Sequence, residues 1–146
     1  GFHGGNGTSE YAAQAYGLIG SAPALYVFPQ ALSFPGAGGV AWNVSPSGND
    51  YEYIDALLLD LESKNCVDGT RVFAAGQSNG AFFVNQLGCY RPDTFRAIAP
   101  AAGGLTYRDR HRAHAELGRA AFAVRISRWR GSPVAHASRR AGHLPQ

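Results

Sequence analysis

The chain has 146 residues, 45% hydrophobic and 16% charged, with a formal net charge of +3; this suits one domain around one core, and no apolar run is long enough to cross a bilayer. The two cysteines, Cys66 and Cys89, have none of the close Cys or His spacing of a zinc site. The charge is split: residues 1–104 hold four Lys or Arg against eight Asp or Glu, whereas residues 105–146 hold nine Arg, no Lys, two acids and four of the five histidines.

The sequence starts at Gly1-Phe2-His3 without an initiator Met or a charged leader, which reads as the start of a fragment or mature piece. Phe2-His3-Gly4-Gly5-Asn6-Gly7-Thr8 is a glycine-rich loop whose backbone amides can turn toward an oxyanion. It lacks the Gly-Lys-Ser/Thr ending of a phosphate loop and the spacing of a dinucleotide fingerprint. Thr8 or Ser9 caps a short helix through Tyr16, and Ala24–Phe28 reads as a buried strand stopped by Pro29. The irregular stretch from Gln30 to Gly48 surrounds Trp42, which either contacts a ring-bearing substrate or pins the loop. Asn43-Val44-Ser45 is a glycosylation sequon, meaningful in a secreted eukaryotic protein.

Asn49 or Asp50 caps the clearest helix, Tyr51 to Asn65, in which Ile54, Leu57, Leu58 and Leu61 recur at helical spacing and the charged residues form a solvated surface. Val72–Ala75 then reads as a buried strand, Gly76-Gln77-Ser78-Asn79-Gly80 has the form G-x-S-x-G, and the apolar residues that follow fit a helix. Strand, sharp turn on serine, helix is the context of a nucleophile elbow, in which a Cβ at either glycine would collide with nearby backbone. The alternative is a chance pentapeptide in a glycine-rich chain. Phe95 to Pro100 gives one more short strand, so strands and helices alternate as in a parallel sheet with helices on both faces. Cys66 and Cys89 flank the elbow and are either a bridge or two unrelated thiols.

These residues resemble a known family. His3-Gly4-Gly5-Asn6-Gly7, Tyr26-Val27-Phe28-Pro29, Trp42-Asn43, Asn65-Cys66-Val67-Asp68, the Gly76–Ala81 elbow and Phe95–Pro100 are similar, in this order, to the secreted feruloyl esterases and polyhydroxyalkanoate (PHB-type) depolymerases. The resemblance covers about residues 1–104 and implies a three-layer α/β-hydrolase sandwich with a mostly parallel sheet, truncated here. It implies a serine esterase acting through an acyl-enzyme on Ser78, with oxyanion donors from the Asn79 amide and from Gly4 or Gly5. It also implies a structural His3, a Cys66–Cys89 disulfide and secretion. The substrate would be a feruloyl or other plant cell-wall ester, or a polyester, and can be polymeric. Serine chemistry needs no cofactor, and no metal-ligand cluster is present in the sequence.

The pattern breaks after Gly104. The family's acid, in a stretch resembling Gly-Thr-x-Asp-Pro, has no counterpart, and Asp109 is the only aspartate beyond Asp93. Phe122, Val124 and Ile126 alternate as in a strand, and Gly142-His143-Leu144 echoes the family's Gly-Gly-His, making His143 the candidate base. Enrichment in Arg, Ala, Gly, His and Pro without Lys is what a shifted frame through GC-rich DNA produces. Residues 105–146 are therefore read as a tail, frame-shifted or disordered, behind a partial hydrolase core. Two rivals come from other classes. One is a tail that binds nucleic acid or anionic membrane through Arg with Tyr107 and Trp129; the other is a non-catalytic carbohydrate- or aryl-binding remnant. No nucleic-acid module matches, so no nucleic-acid partner is expected.

Overall fold

The computed structural model of the protein describes residues 1–104 and 122–123. Three helices are present, α1 (Ser9–Ala15), α2 (Asp50–Lys64) and α3 (Asn79–Tyr90), with a 3₁₀ turn at Gly69–Arg71. They accompany three strands, β1 (Phe73–Gln77), β2 (Ala97–Ala101) and β3 (Phe122–Ala123). The strands pair in parallel in the order β1-β2-β3, with Phe73 opposite Ala97 and Ala97 opposite Phe122. Parallel neighbours need a crossover, and α3 supplies the one between β1 and β2. The described part is α/β. The alternating strand expected at Phe122, Val124 and Ile126 is present at Phe122–Ala123; its other residues lie outside the described set, as do Asp109, His143 and the rest of the arginine-rich tail.

Helix α3 is the centre of the core. From Gly80 to Cys89 every residue except Phe82 is buried, and Phe83, Val84 and Leu87 are fully so. A helix this apolar has no solvent face to spare and must be enclosed on nearly all sides. It lies on β1 and β2, where Ala74 and Ile98 meet it in the same cluster as Phe2, Trp42, Tyr51, Ile54 and Phe95. The aromatic part of that cluster is tightly arranged. The Trp42 and Phe83 rings stack at 5.1 Å with 13° between their planes, and Phe2 meets Trp42 edge-on at 5.1 Å.

Helix α2 packs through Tyr51, whose ring lies 5.2 Å from Phe83 and 5.9 Å from Tyr90. The expected face holds at Ile54, with Leu57 and Leu58 half-buried, but Tyr51 was not part of that pattern. Asp55, expected in solvent, instead accepts both Nε and Nη2 of Arg91 at 2.7–3.0 Å and joins the two helices.

Two expectations are corrected. Ala24–Phe28 forms no strand ladder, and Leu25 is 57% exposed. The segment lies beside Gly1, whose amino group donates to the Val27 carbonyl at 2.7 Å, but one such bond does not make a ladder. Cys66 and Cys89 are not joined. Cys66 is exposed just past the end of α2, whereas Cys89 is buried in the last turn of α3, so their environments differ and no bridge links them.

Candidate active site

The elbow forms as the glycine spacing requires. Ser78 follows β1 and precedes α3 with φ 53° and ψ −117°, a conformation that a residue with a Cβ adopts only at a cost of about 1–3 kcal/mol. Its N–H donates to the Ala101 carbonyl at 2.9 Å, tying the turn to the end of β2, and its carbonyl receives the amides of Ala81 and Phe82 in the first turn of α3. The amides of Asn79 and Gly80, at the first positions of α3, have no intrahelical acceptor to reach.

The two motif glycines admit close backbone, although not the same backbone. A Cβ on Gly76 would stand 2.5 Å from the Gly80 carbonyl oxygen, so this glycine lets strand and helix approach. A Cβ on Gly80 would instead strike the carbonyls of Phe2 and His3. Gly80 thus makes room for the N-terminal loop rather than for its own strand.

That loop lies directly on the elbow. Phe2 pairs in parallel with Gly76 on the edge of β1 opposite β2, through Phe2 N–H to Ala75 O at 2.8 Å and Gln77 N–H to Phe2 O at 3.3 Å. Gly4 follows, buried. A Cβ on it would meet Gln77 Oε1 at 2.8 Å and Ser78 Cβ at 3.5 Å, whereas one on Gly5 would be 3.8 Å from Asn79 Cβ. The structure therefore brings Gly4, Gly5, Ser78 and Asn79 together.

His3 is fully buried and committed. Its Nδ1 lies 2.7 Å from the Gly4 carbonyl, which can only accept, so Nδ1 carries the proton. Nε2 then accepts from the Ala31 amide at 3.0 Å and faces the Gln30 amide nitrogen at 3.1 Å. With both ring nitrogens engaged away from Ser78, His3 braces the loop. This agrees with a structural role and leaves it unable to act as a base.

Trp42 is 1% exposed, its ring enclosed by Phe2, His3 and Phe83. The substrate contact considered for it is corrected: a side chain this deep presents no surface to a ligand. Its indole Nε1 donates to the His3 carbonyl at 3.0 Å, and its main chain is held at two points by the Asn79 carboxamide, Trp42 N–H to Oδ1 at 2.7 Å and Nδ2 to Trp42 O at 3.2 Å. Each such neutral hydrogen bond contributes about 1 kcal/mol net, but orphaning a buried partner costs about 1–3 kcal/mol. Sequence reasoning missed the role of the Asn79 side chain. A polar side chain in the first turn of an apolar helix was the available signal, but its partner lies thirty-seven residues earlier in sequence. Among the described residues there is no cluster of metal-ligating side chains, and no helix is long and apolar enough to cross a membrane.

Comparison with known proteins now bears on this geometry. The chain is 39% identical over 73 residues to feruloyl esterase B of Piromyces equi, covering 48% of this chain and 14% of that protein. It is 34% identical over 92 residues to a probable feruloyl esterase C of Aspergillus niger, and 35% identical over 92 residues to feruloyl esterase C of Emericella nidulans. Those two matches each cover 62% of this chain and 32% of the relative. The chain is related to the feruloyl esterases. It spans about a third or less of the length of these relatives. No family model and no solved structure matches it. The feruloyl esterase side of the expected family is thus supported; its depolymerase side gains nothing from these relatives.

Proposed function

We propose that this chain carries the nucleophile half of a serine carboxylic ester hydrolase site, with Ser78 as the nucleophile. The observation that carries the reading is the strained Ser78 backbone, φ 53° and ψ −117°, on a strand-to-helix turn with the Gly4–Gly5 loop against it. Strain of this kind persists where it presents a reactive group. The position of Phe2 supports the larger α/β-hydrolase sandwich, because its parallel bridge to Gly76 extends the β1-β2-β3 order on its open side.

In this reading Ser78 Oγ adds to the ester carbonyl carbon as its proton passes to a base. The carbonyl electron pair moves onto oxygen, which the main-chain N–H groups of Asn79 and of Gly4 or Gly5 receive. Collapse expels the alcohol, which takes the proton from the base, and water then releases the acid by the same steps in reverse. The base in this reading is His143, the histidine whose Gly142-His143-Leu144 setting echoes the family's Gly-Gly-His, with His3 occupied elsewhere. The names of the relatives point to feruloyl esters as substrates, carried on a polymer and met by a secreted protein, and serine chemistry of this kind requires no cofactor.

Fluorophosphonate labelling of the purified chain, with the adduct located by mass spectrometry, tests the assignment. We expect a stoichiometric adduct on Ser78 that disappears in Ser78→Ala and falls by about a thousandfold or more in rate in His143→Ala. A folded chain that takes no label would overturn the reading in favour of a non-catalytic remnant. Labelling that persists in His143→Ala would place the base elsewhere.

A further inference from the structure

The two hydrogen-bonded steps from Asn79 to the N-terminal loop have a consequence for how an oxyanion would be received. A trans peptide is planar, so its C=O and the following N–H point in opposite directions and turn together. The His3 carbonyl and the Gly4 N–H belong to one such plane, and the Trp42 indole N–H holds that carbonyl at 3.0 Å. The Gly4 carbonyl and the Gly5 N–H belong to the next plane, and the His3 Nδ1–H and the Gly7 N–H hold that carbonyl at 2.7 and 3.0 Å. Both glycine amides are therefore oriented by donors acting on the other side of their peptide units. Glycine has no side-chain constraint on its own torsions, so without these donors the two planes would be the softest part of the site.

Trp42 is itself placed by the residue next to the nucleophile. The Asn79 carboxamide pairs with the Trp42 main chain through both its oxygen and its nitrogen, as a neighbouring strand would. We propose that Trp42 and the Asn79 side chain are positioning residues. Asn79 fixes Trp42, and Trp42 fixes the His3–Gly4 peptide so that its N–H keeps the direction an oxyanion requires. Asn79 thus acts twice, offering its main-chain amide as a donor and aligning the opposing donor through its side chain. The proposal rests on the esterase reading for its use, but the alignment itself is a property of the fold and is measured separately.

The test compares the full chain with Trp42→Phe, which keeps an aromatic ring and removes the indole N–H, and with Asn79→Ala. Amide order parameters from ¹⁵N relaxation report whether the Gly4 and Gly5 N–H vectors are fixed. We expect values of about 0.85 in the unmodified chain, falling below about 0.6 at Gly4 in either variant, while Gly5, whose plane is held by His3 and Gly7, stays with α3 and β1 unchanged. If the order parameter of Gly4 does not move, the proposal is wrong. If order parameters fall throughout α3 and β1 as well, Trp42 is a core residue only, and the proposal is equally wrong. Should Trp42→Phe not fold, Asn79→Ala, a half-buried substitution, decides alone. Where the unmodified chain takes fluorophosphonate, the labelling rate is expected to drop by about tenfold in each variant. Absence of label on the unmodified chain would remove the esterase reading and leave the relaxation result to decide the alignment.

Discussion

Ser78 shows what one residue is asked to tolerate. A positive φ with ψ near −117° is glycine territory, and the turn holds serine there because Ser78 N–H is tied to Ala101 O while its carbonyl starts α3. Relief of that strain should be visible in stability. Ser78→Gly is expected to be more stable than Ser78→Ala by about 1 kcal/mol, since about 1–3 kcal/mol of strain is released against about 0.5–1 kcal/mol of extra unfolded-state entropy. Urea denaturation of the two variants measures it; a glycine variant less stable than the alanine one would mean the turn is relaxed as it stands. The cysteines make a second prediction at this scale. Cys66 is exposed and Cys89 is 4% exposed, so a thiol reagent should modify Cys66 at once and Cys89 only after denaturant is added. A count of zero thiols in the denatured chain would show that the bridge forms after all.

At the scale of elements, α3 is held between a sheet, a loop and another helix, and its glycines are not interchangeable. Gly80 faces the main-chain carbonyls of Phe2 and His3, which cannot move without breaking the pairing of Phe2 with β1. Gly88 faces only the Cδ1 end of Ile98, at 2.7 Å, which can swing aside. Gly80→Ala should therefore cost about 3 kcal/mol or more, at the upper end of overpacking. Gly88→Ala should fall within about 1 kcal/mol of neutral, because the gain in helix propensity offsets the displaced methyl. Chemical denaturation of both variants checks the contrast, and equal costs would show that the N-terminal loop is not seated on α3 as described.

For the whole molecule, the described residues form one continuous core, from Phe2 and Trp42 at the loop to Ile54 on α2 and Ile98 on β2. The part that would complete a catalytic triad is not in it. His3 is the one histidine among residues 1–104, and its ring nitrogens are taken by Gly4, Ala31 and Gln30. Labelling of Ser78 is consequently a whole-chain experiment, because it reports on residues beyond Gly104 as much as on the elbow.

What the sequence determined by itself was whatever depends on local spacing. The G-x-S-x-G turn, the cap at Thr8, the apolar helix after Ser78 and the glycine loop beside it are written in residues a few places apart and appear in the structure, whereas Asn49 starts α2 without a side-chain cap. Interactions across long separations decided the rest. Ala24–Phe28 has the composition of a strand, but a strand needs a partner ladder, and composition does not supply one. Trp42 looked equally suited to a ligand and to packing until its burial against Phe83 and His3 settled the matter. Asp55 looked solvated until Arg91 reached it from the end of α3. The Asn79–Trp42–His3 chain of hydrogen bonds joins three segments far apart in sequence, and its donors and acceptors match only once the core has brought them within 3.2 Å. Periodicity encodes which face of an element is apolar; which polar group meets which across that face is fixed only by closure of the tertiary structure.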